Sequence, residues 1–112
     1  MSIGVFYFKT TDSKQGHLRI GNLQQLTGKE AGAIRNEVMD FANTTFEKIY
    51  IDAKDVKDAD LSGINELIHS NYQLAGTNKK IVLIYRKESV VEKWVQTTGL
   101  DRFMETALLP AQ

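Results

Sequence analysis

The alternation of hydrophobic and polar positions predicts two strands at the start of the chain. Residues 3–8 are apolar on both faces and rich in aromatic and β-branched side chains, as in an interior strand. A polar stretch that contains Asp12, Ser13 and Gly16 then turns the chain. Residues 17–20 alternate apolar with polar side chains, which predicts a second strand antiparallel to the first.

Two amphipathic helices with a strand between them follow. Thr27 and Glu30 have the spacing of a capping box, and apolar residues then recur at helical intervals. Residues 48–52 have the pattern of a buried strand. The second helix begins after an Asp-rich loop, and Gly76 is placed to end it. Its predicted apolar stripe consists of Ile64, Leu67, Ile68, Tyr72 and Ala75.

The last third of the chain predicts a central strand and a third helix. Residues 81–85 are apolar throughout, as in a strand covered on both faces. Ser89 and Glu92 form another capping box, Gly99 is placed to end the helix, and residues 101–109 supply a further strand or short helix. The order of elements predicts an α/β fold with a mixed, largely parallel sheet of four to five strands and three to four helices.

Composition limits the classes of partner. The chain has 112 residues, which fits one domain over residues 1–112, and is 42% apolar and 25% charged. Fourteen basic and fourteen acidic residues cancel, so the net charge favours neither nucleic acid nor an anionic membrane. There is no cysteine, which excludes disulfides and is compatible with the cytoplasm. We predict a monomeric cytoplasmic protein.

The most informative motif lies where the Asp-rich loop enters the second helix. The residues in question are Asp60, Leu61, Ser62, Gly63 and Ile64. They resemble the signature of the STAS domain (sulfate transporter and anti-sigma-factor antagonist), in which a strand leads through Asp-Ser-Ser-Gly or Asp-Ser-Thr-Gly into a helix. All of these positions match except the family's phosphoacceptor hydroxyl, which Leu61 replaces. The resemblance covers essentially the whole chain and implies a STAS-like single domain.

The resemblance implies a non-catalytic protein-binding module of bacterial signal transduction and transcription regulation, without a cofactor or metal. The family's typical partner is an ATP-binding serine kinase that also sequesters a sigma factor and is bound through this loop and its helix. The predicted partner-binding residues are Asp60, Leu61, Ser62, Gly63, Asn65 and Glu66. Gly63 is expected to allow close approach of a partner's backbone, so that a side chain there harms binding more than stability.

Individual motif residues have alternative interpretations. Ser62 is the remaining hydroxyl of the motif, so it is either a possible phosphoacceptor or a residue that caps or packs in the first helical turn. Leu61 is either an exposed contact for a partner or an inward anchor for the loop. Asp60 caps the helix or holds the loop. Trp94 fits the inward stripe of the third helix better than a ligand platform.

Other functions are compatible with parts of the sequence. A STAS protein also serves as a subunit of a lipid-transport ATPase or of a signalling scaffold. A magnesium-dependent phosphotransfer or hydrolytic enzyme would use the acidic loop, whose carboxylates are Asp52, Asp55, Asp58 and Asp60. An EF-hand calcium loop would start at Asp58, but its twelfth position holds His69 where a bidentate Glu is required.

Overall fold

The structure is a computed structural model that describes residues 8–111. In chain order the elements are β1 (Phe8–Asp12), β2 (His17–Gly21), β3 (Gln25–Leu26), α1 (Gly28–Phe41), β4 (Lys48–Asp52), β5 (Asp58–Ala59), α2 (Leu61–Gln73), β6 (Lys80–Arg86), α3 (Val90–Thr98), a 3₁₀ turn (Leu100–Arg102) and β7 (Glu105–Leu109). No helix among these residues is long and apolar enough to cross a bilayer.

One mixed sheet forms the centre of the molecule, with strand order β1-β2-β4-β6-β7. β1 runs antiparallel to β2, and the other neighbouring strands are parallel. Ile49 of β4 pairs with Leu18 on one side and with Ile81 on the other, and all three side chains are buried. These strand residues share one hydrophobic core with apolar side chains of all three helices. The predicted fold class is therefore confirmed.

The first strand differs from its predicted position. Most of the predicted range, residues 3–8, lies outside the described residues, and β1 extends to Asp12, which the sequence placed in the turn. Asp12 pairs with His17, so the antiparallel ladder continues to the turn at residues 13–16. Polar side chains are tolerated in β1 because it is an edge strand of the sheet. The antiparallel pairing with β2 is as predicted.

The helix starts follow the predicted positions with one change in hydrogen bonding. Ser89 Oγ accepts from the Glu92 amide at 3.2 Å, and the Glu92 carboxylate accepts from the Glu88 amide at 2.9 Å, which completes the capping box of α3. At the start of α1 the Thr27 hydroxyl instead donates to the buried Glu30 carboxylate. Thr27 therefore leaves the first amides of α1 without a side-chain cap.

The predicted apolar stripe of α2 is wrong at its C-terminal end. Ile64, Leu67 and Leu74 are buried, whereas Tyr72 and Ala75 are exposed. Residues on an α-helix turn by about 100° each, so Tyr72 lies about 140° around the axis from Leu67. The helix faces the core through Leu67, and Tyr72 consequently points to solvent.

A second, two-stranded parallel sheet was not predicted. It pairs β3 with β5, and each strand has only two residues, too few to show a periodic pattern. β3 leads directly into α1, and β5 leads directly into α2. The pairing therefore places the N-terminal ends of the two helices side by side.

Candidate partner-binding site

Asp60 caps α2, as one of its two interpretations predicted. Its backbone is extended, and its Oδ1 accepts a hydrogen bond of 2.8 Å from the Gly63 amide. The Asp60 carbonyl accepts the first intrahelical bond, 3.1 Å from the Ile64 amide. The carboxylate also lies at the positive end of the helix dipole, where negative charge is stabilising. Asp60 thus fixes where α2 begins and places Leu61 and Ser62 in its first turn.

Leu61 and Ser62 occupy the first two positions of α2 and both are exposed. The side chain of Leu61 is outside the hydrophobic core, and the residue is 48% exposed. Of its two interpretations, the geometry supports the surface contact over the inward anchor. Ser62 lies beside the start of α1, since a Cβ built on Gly28 would be 3.1 Å from the Ser62 Cβ. Ser62 makes no capping bond; Asp60 does.

Gly63 is buried against the chain's own backbone. A Cβ built on Gly63 would lie 1.9 Å from the Leu26 carbonyl oxygen and 2.6 Å from the Leu26 carbonyl carbon. Both atoms belong to the main chain, so no side chain can rotate away to make room. The expectation that a side chain at Gly63 costs little stability is therefore wrong. The backbone that approaches this glycine is β3, which the sequence pattern did not reveal.

The two predicted contacts farther along α2 have different surroundings. Asn65 is exposed. Glu66 is only partly exposed, and its carboxylate accepts a hydrogen bond of 3.2 Å from the Arg35 guanidinium of α1. A partly exposed ion pair of this kind contributes little to stability. It does orient Glu66 towards α1.

The loop that carries the motif is held at its start by the buried carboxylate of Asp52. This carboxylate accepts from the Arg19 guanidinium of β2, from the Lys54 amide at 3.1 Å and from Lys54 Nζ at 2.8 Å. Burial alone would raise the pKa of Asp52, but the hydrogen bonds from Lys54 and Arg19 outweigh burial and hold the pKa below its usual value. Asp52 is therefore an anchor for the loop.

The other end of the loop is held by Trp94 of α3. The indole Nε1 donates a hydrogen bond of 3.1 Å to the Ala59 carbonyl, and the ring packs against the hydrophobic core. The prediction that Trp94 faces inward is supported, but its hydrogen bond to the loop was missed. An inward indole needs an acceptor for its N–H, which is the signal in the sequence that pointed to such a role.

The four carboxylates of the acidic loop do not form a metal site in the described residues. Asp52 is buried and paired with cations, whereas Asp58 and Asp60 are exposed. No group of three or more His, Asp or Glu side chains in residues 8–111 could hold a metal ion. The EF-hand interpretation also fails geometrically, because Asp58 is in β5 and α2 begins at Leu61.

Comparison with solved structures shows a likeness over nearly the whole chain. The crystal structure of a Thermotoga maritima protein, provisionally named an anti-sigma factor antagonist, is similar with a TM-score of 0.73. The match covers 95% of this chain and 86% of that protein, at 17% sequence identity. No family model matches the sequence, and no curated protein matches it significantly. The chain has a STAS-like fold.

We predict that Gly63→Ala destabilises the protein, because the new methyl group would overlap the Leu26 carbonyl. The expected loss in free energy of unfolding is ~1–3 kcal/mol or more. Gly32→Ala in α1 is the matched control, since no atom beyond its chain neighbours and its own helix backbone lies within 4 Å of a Cβ built there. It should gain ~0.4–1 kcal/mol from reduced unfolded-state entropy. Urea denaturation measures both, and equal stabilities would contradict the close approach.

We predict that Asp52→Asn lowers stability at neutral pH but has little effect in acid. A carboxyl whose pKa is lowered on folding contributes stability that is present above its unfolded pKa, about 4, and is lost as pH falls through the folded pKa. The expected loss at pH 7 is ~1–2 kcal/mol, since solvent screens both partly exposed cations. Urea melts of wild type and variant from pH 7 to pH 2 measure it. A difference that keeps its neutral-pH size down to pH 2 would contradict this assignment.

Proposed function

We propose that this protein is a non-catalytic, cytoplasmic protein-binding module that acts as an anti-sigma-factor antagonist acts. Its partner would be an anti-sigma factor of the serine-kinase type, bound through the start of α2. The observation that carries the proposal is the exposed Leu61, held at the first position of a capped helix where the STAS signature has its phosphoacceptor. The STAS-like fold supports the same class of function.

Leu61 changes how such a complex would be regulated. In a STAS signature that has a phosphoacceptor hydroxyl, a phosphate adds roughly 1.5 to 2 negative charges at this position. The added charge repels nearby acidic groups and so disrupts docking. Leu61 has no hydroxyl to accept a phosphate and instead offers an apolar side chain. About half of the side chain is left to bury, so burial against a partner contributes ~0.7–1.5 kcal/mol, equivalent to about a threefold to tenfold gain in affinity. We therefore expect binding that is constitutive with respect to the usual switch.

Ser62 is a poor replacement for the missing phosphoacceptor. It is exposed, but one step along a helix rotates a side chain by about 100° around the axis. A kinase that positions the first hydroxyl for in-line transfer would find Ser62 turned away, next to Gly28 at the start of α1.

The contacts proposed for a partner are Asp60, Leu61, Ser62 and Asn65, with Glu66 at the margin. Gly63 supports this surface from beneath.

A second candidate keeps the binding role and changes the partner. In this alternative the chain is a subunit of a lipid-transport ATPase or of a signalling scaffold, docked through the same end of α2. The partner that binds the purified protein distinguishes the two. The magnesium-dependent enzyme has less support, because Asp52 already pairs with Arg19 and Lys54.

We predict that Leu61→Asp strongly weakens partner binding without destabilising the fold. Leu61 is half exposed, and a carboxylate in the first turn of a helix is favourable, so we expect the melting temperature to be unchanged. Burying that charge against an apolar partner surface should weaken binding at least tenfold. Isothermal titration against each purified anti-sigma-factor kinase of the source genome, beside thermal melts, provides the measurement.

Met39→Ser is the control for this experiment, because Met39 of α1 is also 48% exposed and lies outside the proposed surface. It should leave affinity unchanged. If Leu61→Asp retains both its melting temperature and its affinity, the interface lies elsewhere. If the variant unfolds, Leu61 is an anchor and the surface-contact interpretation fails.

We also predict that the bound kinase and ATP leave Ser62 unmodified. Leu61→Ser restores a hydroxyl at the signature position and should accept one phosphate there, which then releases the partner. Intact-mass and peptide mass spectrometry after incubation with the kinase measure both outcomes. Stoichiometric phosphate on Ser62 of the wild-type protein would overturn this prediction.

A further inference from the structure

The solvent-facing side of α2 lacks charged side chains along its whole length. At about 100° per residue, Leu61, Asn65, Ile68 and Tyr72 fall within about 60° of one another and form one stripe, in which Ile68 is partly buried against the core and the other three are exposed. Glu66 is the sole Asp, Glu, Lys or Arg of this helix, and it turns aside to Arg35. In the chain as a whole, 25% of residues are charged. Depletion of charge together with exposed aromatic residues is typical of the centre of a protein–protein interface.

The stripe ends in a groove beside the C-terminal half of α2. The groove has a volume of about 520 Å³, and its lining includes Ile68, Asn71, Tyr72, Leu74, Ala75 and Phe103. Two aromatic side chains border it and are mostly exposed, Tyr72 at 79% and Phe103 at 61%. Asn71 Nδ2 donates a hydrogen bond of 2.8 Å to the Phe103 carbonyl, which ties the turn before β7 to the helix. The groove is therefore formed without a partner.

We propose that this groove is a second contact for the same protein partner, and that it takes an apolar or aromatic side chain from an amphipathic helix of that partner. The inference rests on the proposed function, because the first contact is Leu61. From Leu61 to Tyr72 the helix rises about 16 Å, the length of about three turns of a partner helix lying alongside. α2 has no Lys or Arg to attract phosphates, so this face suits an apolar protein surface better than a nucleic acid or anionic lipid.

The test uses Tyr72→Ser and Phe103→Ser in the full chain, with Met39→Ser as the control for loss of an exposed apolar residue elsewhere. All three should remain folded by thermal melt, because Tyr72 and Phe103 are mostly exposed and Met39 is about half exposed. Binding to the purified anti-sigma-factor kinase should weaken about tenfold or more for the two groove variants and stay within twofold for the control. Groove variants that bind within twofold of wild type, while Leu61→Asp binds at least tenfold more weakly, overturn the groove and leave the proposed function intact.

A second arm separates failure of the groove from failure of the proposed function. If no such kinase binds the wild type, the proposed function fails. The groove is then tested by itself, by titrating the ¹⁵N-labelled chain with a helical peptide that bears Leu and Phe on one face. Saturable shifts confined to the amides of Ile68, Tyr72, Ala75 and Phe103 support the groove, and their absence overturns it. A scrambled peptide of the same composition should give no saturable shift. Analytical ultracentrifugation of wild type and Tyr72→Ser completes the test. A wild-type dimer that is lost in Tyr72→Ser would show that a second copy of the chain occupies the groove and would overturn the proposal.

Discussion

The close approach of the Gly63 and Leu26 backbones is the constraint on which the rest of this surface depends. The Leu26 carbonyl occupies the space that any side chain at position 63 would need. The two-residue pairing of β3 with β5 brings these backbones together and places the starts of α1 and α2 next to each other. With α2 in this position, Leu67 faces the core and Leu61 is exposed. A shift of α2 outward by the width of a methyl group would disturb all of these contacts.

Two anchors keep the loop before α2 in one conformation. Asp52 holds its start through Arg19 and Lys54, and Trp94 holds its end through the Ala59 carbonyl. Both anchors connect the loop to elements of the main fold, Asp52 to β2 and the Ala59 carbonyl to α3. A surface that is already ordered loses less entropy when a partner docks, and this favours affinity. In the proposed function, rigidity at Leu61 takes the place of a phosphate-dependent change.

Much of the fold was predictable because its signals are local. The signals include the apolar alternation of β2, the buried-strand patterns of β4 and β6, and the capping residues Asp60 and Ser89, and each acts within a few positions of the chain. Gly99 ends α3 in the left-handed conformation that favours glycine. The motif also located the candidate site, since its residues lie together at one helix start. These features follow from backbone geometry and from the periodicity of side chains, both of which can be recognised in the order of the residues.

The support beneath the motif and the exposed side of α2 depend on contacts between elements that are distant in the chain. Gly63 meets Leu26, and Trp94 meets Ala59, across long separations in sequence, so no local pattern revealed either contact. Tyr72 continues an apolar sequence pattern, yet it is exposed because the packing of Leu67 sets the rotation of the helix. The sequence specifies which residues are able to pack. The relative placement of α1, α2 and β3 determines which of them do, since that placement is a compromise among all the contacts of the core at once.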